Sequence, residues 1–233
     1  MPSILIIGAE RGLGLGLASE FLRRGWTVVG TAIPGSDTAA LDALGATHPE
    51  AFRRETLDVT DRDQLDEFDT RLGDARFDVV FTVAGIFGPL HQSVSKATDE
   101  ELATIMHVNA FGPYRVAERM AAHLTQRGCI AFMSSHRGSV AGNVEGGLEL
   151  YRASKAALNM LARGLYAQLA PSLVTVLTIH PGWAATAMGT LNGTVAAEID
   201  VDTSVRGVVS VVERHRDTGM HEYLDYTGER LPW

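Results

Sequence analysis

Residues 4–14 limit what the chain can become more than any other stretch does. Ile4-Leu5-Ile6-Ile7 is a short apolar run suited to a buried parallel strand, and it leads directly into Gly8-Ala9-Glu10-Arg11-Gly12-Leu13-Gly14. Leu13, Leu17 and Phe21 then recur at helical spacing. Strand, glycine turn and helix in this order begin a dinucleotide-binding unit, because glycines let a pyrophosphate approach the backbone where a helix N-terminus faces it. The spacing is G-x-x-x-G-x-G rather than G-x-G-x-x-G, and a glycine-rich turn alone also serves as a simple reversal.

The alternation continues. Residues 26–31 read as a second strand, 39–44 as a short helix closed by Gly45, and 53–57 as a third strand ending at Asp58. Thr60 is the expected N-cap of a helix with Leu65, Phe68 and Leu72 on one face and Gly73 beyond its end. A fourth strand, 77–83, runs into Ala84-Gly85. Thr98 and Glu101 form a capping box for a helix carrying Leu102, Ile105 and Met106, and the helical pattern resumes through Val116, Met120 and Leu124. Residues 128–134 are a fifth strand, 150–169 a long helix stopped by Pro171, and 173–179 a sixth strand. Asp202 is the expected cap of a helix burying Val205, Val208, Val209 and Val212, and Tyr223-Leu224 suit a last strand. The pattern implies one α/β domain over 1–233: a Rossmann-type, doubly wound, mostly parallel sheet of about seven strands with helices on both faces. The irregular stretches 86–96, 138–149 and 183–201 follow strands and are the expected pocket walls, with 183–201 as the substrate-side loop region.

A net charge of −8 argues against general affinity for nucleic acid or an anionic membrane. No segment reads as a signal peptide or a membrane span, so a cytoplasmic location is expected. Cys129 lies in the apolar run 129–133 and reads as a buried thiol. The eight histidines show no metal-ligand spacing, so no metal is expected.

Tyr151 and Lys155 stand four apart and share a helix face, which brings an ammonium near a phenol whose reference pKa is about 10. With Gly8-x-x-x-Gly12-x-Gly14, Asp58-Val59, Ala84-Gly85, Asn109, Ser135 and Pro181-Gly182 followed by Thr186, this pair makes the whole chain resemble a single-domain short-chain dehydrogenase/reductase. Residues 151–160, His180-Pro181-Gly182-Trp183 and Leu231-Pro232-Trp233 are most similar to the C-factor and sniffer-type carbonyl reductases.

The resemblance implies a nicotinamide-dependent oxidoreductase acting on a carbonyl or secondary alcohol. Asn109, Ser135, Tyr151 and Lys155 would be its catalytic tetrad. Tyr151 would exchange the proton, Ser135 bind the substrate oxygen, Lys155 bind the ribose and lower the Tyr151 pKa, and Asn109 hold a relay water. Gly8, Arg11, Gly12, Leu13, Gly14, Asp58, Val59, Ala84, Gly85, Tyr151, Lys155, Pro181, Gly182 and Thr186 would contact the cofactor. Ser134 or Ser139 could take the serine's place. Thr82-Val83 stand where the family has two asparagines, and a nucleotide-binding regulatory protein with little turnover is the alternative. Trp183, His136, Arg137 and His91 read as packing or solvated loop residues. NADP(H) is favoured, with NAD(H) possible: no acid follows the second strand at once, and Arg11 could meet a 2′-phosphate, although Asp37 could swing in. Phe87, Leu90, Val144, Leu148, Met188 and Leu191 suggest an apolar pocket. Apolar residues around more than one face of 109–124 and 151–169 suggest a homodimer or homotetramer, and the family uses these helices to dimerise.

Overall fold

A computed structural model describes residues 1–233. Seven strands form one sheet: β1 (Ser3–Ile7), β2 (Thr27–Ala32), β3 (Phe52–Thr56), β4 (Phe77–Thr82), β5 (Leu124–Met133), β6 (Thr175–His180) and β7 (His221–Asp225). Their order is β3-β2-β1-β4-β5-β6-β7, and every neighbouring pair is parallel. Parallel neighbours need long crossovers. These are supplied by α1 (Gly12–Arg23), α2 (Ala39–Thr47), α3 (Arg62–Leu72), α4 (Asp99–Met106), α5 (Gly112–Met120), α6 (Glu149–Leu169) and α7 (Val201–His215). The strand order reverses between β1 and β4, which opens a crevice at the carboxyl ends of those strands.

The apolar run of β1 serves both faces. Ile4 and Ile6 join the larger core with Leu17 and Phe21 of α1 and Val208, Val209 and Val212 of α7. Leu5 and Ile7 face the other way, onto Phe68 of α3 and Val116 and Met120 of α5. A third cluster sets Leu158 and Leu165 of α6 against Ile130, Phe132 and Val176. Cys129 is fully buried on β5, and burial raises its thiol pKa far above the usual range. No helix is long and apolar enough to cross a membrane.

Four local expectations are corrected. Helix α2 does not stop at Gly45 but runs on to Thr47, because Gly45 does not take the positive φ of a helix-ending glycine; it instead lies against the Phe52 ring, where a Cβ would sit at 3.1 Å. Asp61, not Thr60, caps α3: its Oδ1 accepts the Asp63 and Gln64 N–H groups at 2.9 and 3.1 Å, while the Thr60 hydroxyl donates to Asp58 Oδ1 at 2.7 Å. Asp200, not Asp202, caps α7 through the Thr203 N–H, and Asp202 rides in the first turn. Leu124 does not continue α5 but opens β5 opposite Phe77. The turn before it is held by buried His123, whose ring nitrogens lie 2.6 Å from Asp69 Oδ1 and 3.0 Å from the Ala75 carbonyl oxygen. The capping box of Thr98 and Glu101 forms as the sequence implies.

Candidate active site

The loops leaving β1, β4, β5 and β6 converge. Gly8 adopts φ +87° and approaches the start of the next loop so closely that a Cβ would lie 2.9 Å from the Ala84 nitrogen. Gly12 has φ +53°, and its missing side chain would meet only Thr186, at 3.6 Å. Gly14 could carry no Cβ at all, since that atom would fall 1.9 Å from the Gly8 carbonyl oxygen. The turn thus stays open above the N-terminus of α1, whose first N–H groups receive no side-chain cap from Arg11. Exposed donors at a helix start suit a pyrophosphate.

Beside this turn lies a cavity of about 440 Å³ lined by Glu10, Arg11, Gly12, Leu15, Ile33, Ser36, Asp37 and Ala40. Asp37 is part of this lining, and its Oδ1 accepts the Ala39 N–H at 3.0 Å at the start of α2. Glu10 Oε2 is buried and has no hydrogen-bond partner. Leu13 packs on the main core. Val59 is buried beside α5, and Asp58 Oδ1 is engaged by the Thr60 N–H and hydroxyl. Gly182, with φ +77°, follows buried Pro181, whose carbonyl accepts the Ser204 hydroxyl at 2.6 Å. These residues and their spacing fit a dinucleotide.

Asn109, Ser135, Tyr151 and Lys155 meet from three parts of the chain: the segment between α4 and α5, the turn after β5, and α6, which carries both Tyr151 and Lys155. Asn109 sits in a π-helical segment, His107–Phe111, between α4 and α5, a local widening common at functional sites. Its Oδ1 accepts the Ile86 N–H at 2.7 Å, and its amide donates to the Ile86 carbonyl at 2.8 Å and Ser154 Oγ at 3.0 Å. Both amide protons are therefore committed, and only acceptor capacity on Oδ1 is left for a relay water. Gly85 separates this amide from the lysine: a Cβ there would lie 3.3 Å from Asn109 Oδ1 and 3.4 Å from Lys155 Nζ.

Lys155 is buried and donates to the Met133 carbonyl at 3.0 Å. Desolvation lowers its pKa to about 8. Its Nζ stands 5.8 Å from the Tyr151 ring centroid. The expected downward pull of Lys155 on the phenol is not found here. Burial dominates and pushes Tyr151 up to about 12, opposed by the hydrogen bond with Ser135. The Tyr151 hydroxyl is thus held as a proton donor, and Ser135 is the residue beside it.

Ser134 is committed elsewhere, donating to Asn159 Oδ1 at 2.6 Å inside the protein. Ser139 Oγ accepts the Gly142 N–H at 2.8 Å and Ser135 Oγ the Arg137 N–H at 3.2 Å, each keeping its hydroxyl proton. Phe87 lies 5.6 Å from Tyr151, ring to ring. Trp183 donates to the Gly189 carbonyl at 2.6 Å and folds its own loop. Arg137 pairs with Glu145 and His91 with Glu101. His136, expected as solvated, is instead half-buried against His180, with ring nitrogens 3.0 Å apart. Burial drives His180 down to about 3, so that ring is neutral.

Gln92 was not foreseen. Helix α6 begins after Leu148, which is left-handed and provides no side-chain cap. Buried Gln92 fills the gap from a distant loop: its Oε1 accepts the Tyr151 N–H at 3.0 Å, its carbonyl accepts the Leu150 N–H at 3.4 Å, and its amide donates to the Phe87 and Pro89 carbonyls at 2.8 Å. The loop over the pocket and the helix bearing Tyr151 are joined through one side chain. Nothing in the sequence of the loop, where apolar and polar residues mix, marks Gln92.

Comparison with known proteins agrees with this geometry. A family model described as enoyl-(acyl carrier protein) reductase matches residues 8–212. The C-signal protein of Myxococcus xanthus is 34% identical over 168 residues, covering 71% of this chain and 98% of that protein. A Burkholderia multivorans structure, described as a short-chain dehydrogenase/reductase with bound NADP, superposes with a TM-score of 0.95 at 39% identity, over 100% of this chain and 99% of that one. A carbonyl reductase from Pseudomonas aeruginosa in complex with NADP gives a TM-score of 0.89 at 34% identity, with full coverage of both chains. A match of this extent, over a sheet and glycine turn of this form, makes the chain a member of the short-chain dehydrogenase/reductases, a family of NAD(P)-dependent oxidoreductases.

Proposed function

We propose that the protein is an NADP(H)-dependent reductase of carbonyl compounds, or in reverse a dehydrogenase of secondary alcohols, with Tyr151 as the general acid/base. The observation that carries this reading is the gathering of Lys155 Nζ 5.8 Å from the Tyr151 ring, with Asn109 across Gly85 from the same ammonium and Ser135 next to the phenol. NADP(H), when bound, supplies or accepts the hydride. Tyr151 gives its proton to the substrate oxygen as negative charge develops there, and Ser135 donates a hydrogen bond to the same oxygen. Lys155 binds the nicotinamide ribose. Asn109 holds the residue 86 segment and offers its remaining acceptor site to a relay water. Gly8, Gly12, Gly14, Ala84, Gly85, Pro181, Gly182 and Thr186 line the cofactor's path, with Asp58 and Val59 at the adenine end. Arg11, which lines the cavity beside the glycine turn, binds the 2′-phosphate. Phe87 beside the Tyr151 ring, with exposed Leu90, Val144 and Met188 on the loops that follow β4, β5 and β6, suits an apolar ketone or aldehyde.

Tyr151→Phe deletes only the hydroxyl. The expected result is intact folding and NADPH binding with kcat lower by ~100- to 10,000-fold. Undiminished turnover on a good carbonyl substrate would return the chain to the regulatory alternative.

A further inference from the structure

We infer that Tyr223, steadied by Trp233, is a positioning residue that aims Ser135 at the substrate oxygen. This inference rests on the proposed role of Ser135. Tyr223 lies on β7, two strands away from β5, yet its buried hydroxyl donates to the Ser135 carbonyl. The same carbonyl accepts the Gly138 N–H at 2.8 Å. Two donors on one oxygen fix the peptide plane that follows Ser135, and with it the direction in which the Ser135 side chain leaves the backbone.

A phenol hydroxyl buried in a core costs free energy unless it finds a partner. A phenylalanine would fill the same space, so the hydroxyl here is explained by its acceptor. Burial holds the Tyr223 phenol up at about 12, with nearby Tyr151 adding to the effect, so it remains a donor through neutral and mildly alkaline pH. Asn159, which also neighbours the Tyr223 hydroxyl, grips the same turn, accepting from Ser134 Oγ and donating to the Gly138 carbonyl at 3.2 Å.

Trp233 completes the clamp. After β7 the chain turns back, pairs Arg230 with Leu224, and donates the Leu231 N–H to the Tyr223 carbonyl at 2.8 Å. This lays the Trp233 ring on Tyr223, with centroids 5.0 Å apart and planes 29° from parallel. The Trp233 carbonyl then accepts the Ala141 N–H at 2.9 Å. One residue therefore holds the Tyr223 ring from outside and the far end of the turn that begins at Ser135.

The test compares Tyr223→Phe, Trp233→Ala and Trp233→Phe in the parent and in Ser135→Ala, with NADPH and a reducible carbonyl substrate. Loss of aim without loss of fold predicts a kcat lower by ~10-fold for Tyr223→Phe, since small misplacements at a reacting centre are costly. The KM for NADPH should stay unchanged. Trp233→Ala should follow it, and Trp233→Phe, which keeps a ring to stack, should recover most of the rate. In the Ser135→Ala background Tyr223→Phe should cost no further kcat. An equal fold-loss in both backgrounds, or a parent-like kcat for Tyr223→Phe, would overturn the inference while leaving the role of Ser135 intact. If Ser135→Ala itself keeps the parent kcat, the proposed role of Ser135 fails and takes this inference with it.

Discussion

Lys155→Met should make the cofactor-free protein more stable while removing its activity. The ammonium of Lys155 is 4% exposed and has one protein acceptor, the Met133 carbonyl. Desolvation lowers its pKa from 10.5 to about 8. At about 1.4 kcal/mol for each unit of pKa, holding it charged at pH 7 costs the fold about 3 kcal/mol. Methionine keeps the apolar stem and removes the charge, but leaves the Met133 carbonyl short of a donor, at about 1–2 kcal/mol. The net gain expected is about 1–2 kcal/mol, or a Tm higher by about 4 °C in a chain of this size. The sign with pH is also fixed. Below about 8 the lysine is charged in both states and the native state bears the full penalty; above 10.5 it is neutral in both and bears none. Parent stability should therefore rise relative to Lys155→Met between pH 8 and 10.5, because the unfolded chain there holds the extra proton. Tyrosine titration is common to both proteins and cancels in the difference. Denaturant unfolding across that range is the assay. A variant less stable than the parent at pH 7, or an offset that does not move with pH, would refute the reasoning.

Ser134 and Ser135 should separate in activity: Ser134→Ala strands the buried Asn159 Oδ1 and should lose about 1–3 kcal/mol of stability with kcat kept, whereas Ser135→Ala gives up the bond from the Arg137 N–H, at about 0.5–2 kcal/mol, and should lower kcat by ~10- to 1,000-fold. Arg11→Ala should raise the Kd for NADPH by ~10-fold or more and leave that for NADH nearly unchanged, as titrations with both cofactors would show. The exposed Met160 and Phe111, on the helices expected to pair, should be covered in a dimer or tetramer; sedimentation that shows only a 25.0 kDa species at micromolar concentration would exclude it.

Much of the fold was readable because the signals were local and redundant. The β1 run, the glycine turn and the periodic faces of α1, α3 and α7 each point to the same layer arrangement. The errors fell at termini, where two candidates stood within two residues, as at Thr60 and Asp61 or Asp200 and Asp202; the backbone angle that decides between them is not visible in side-chain type. Gly45 misled for another reason, since the space it leaves is taken by the ring of Phe52, seven residues away on a strand, and its φ does not turn positive to end the helix. The candidate site divides in the same way. Its glycines and Tyr151-x-x-x-Lys155 are spelled out along the chain, but Gln92, Tyr223 and Trp233 reach it through contacts between segments 59 to 92 residues apart, with no periodicity to announce them. The environment of Lys155 was equally hidden, because desolvation depends on everything that surrounds a side chain at once.

The burial of the chain's one cysteine makes the protein its own reporter of breathing. Cys129 lies on β5 in the middle of the sheet, unreachable and scarcely ionised. A thiol reagent can modify it only during excursions that part β5 from its neighbours, and no second thiol contributes background. When reclosing is faster than modification, the labelling rate measures the equilibrium population of those excursions and hence the local free energy of the sheet. A ligand bound only to the closed form must slow labelling by the factor 1 + [L]/Kd. Cofactor affinity could thus be read from the reactivity of the unmodified enzyme's own sulfur, before any substrate is known.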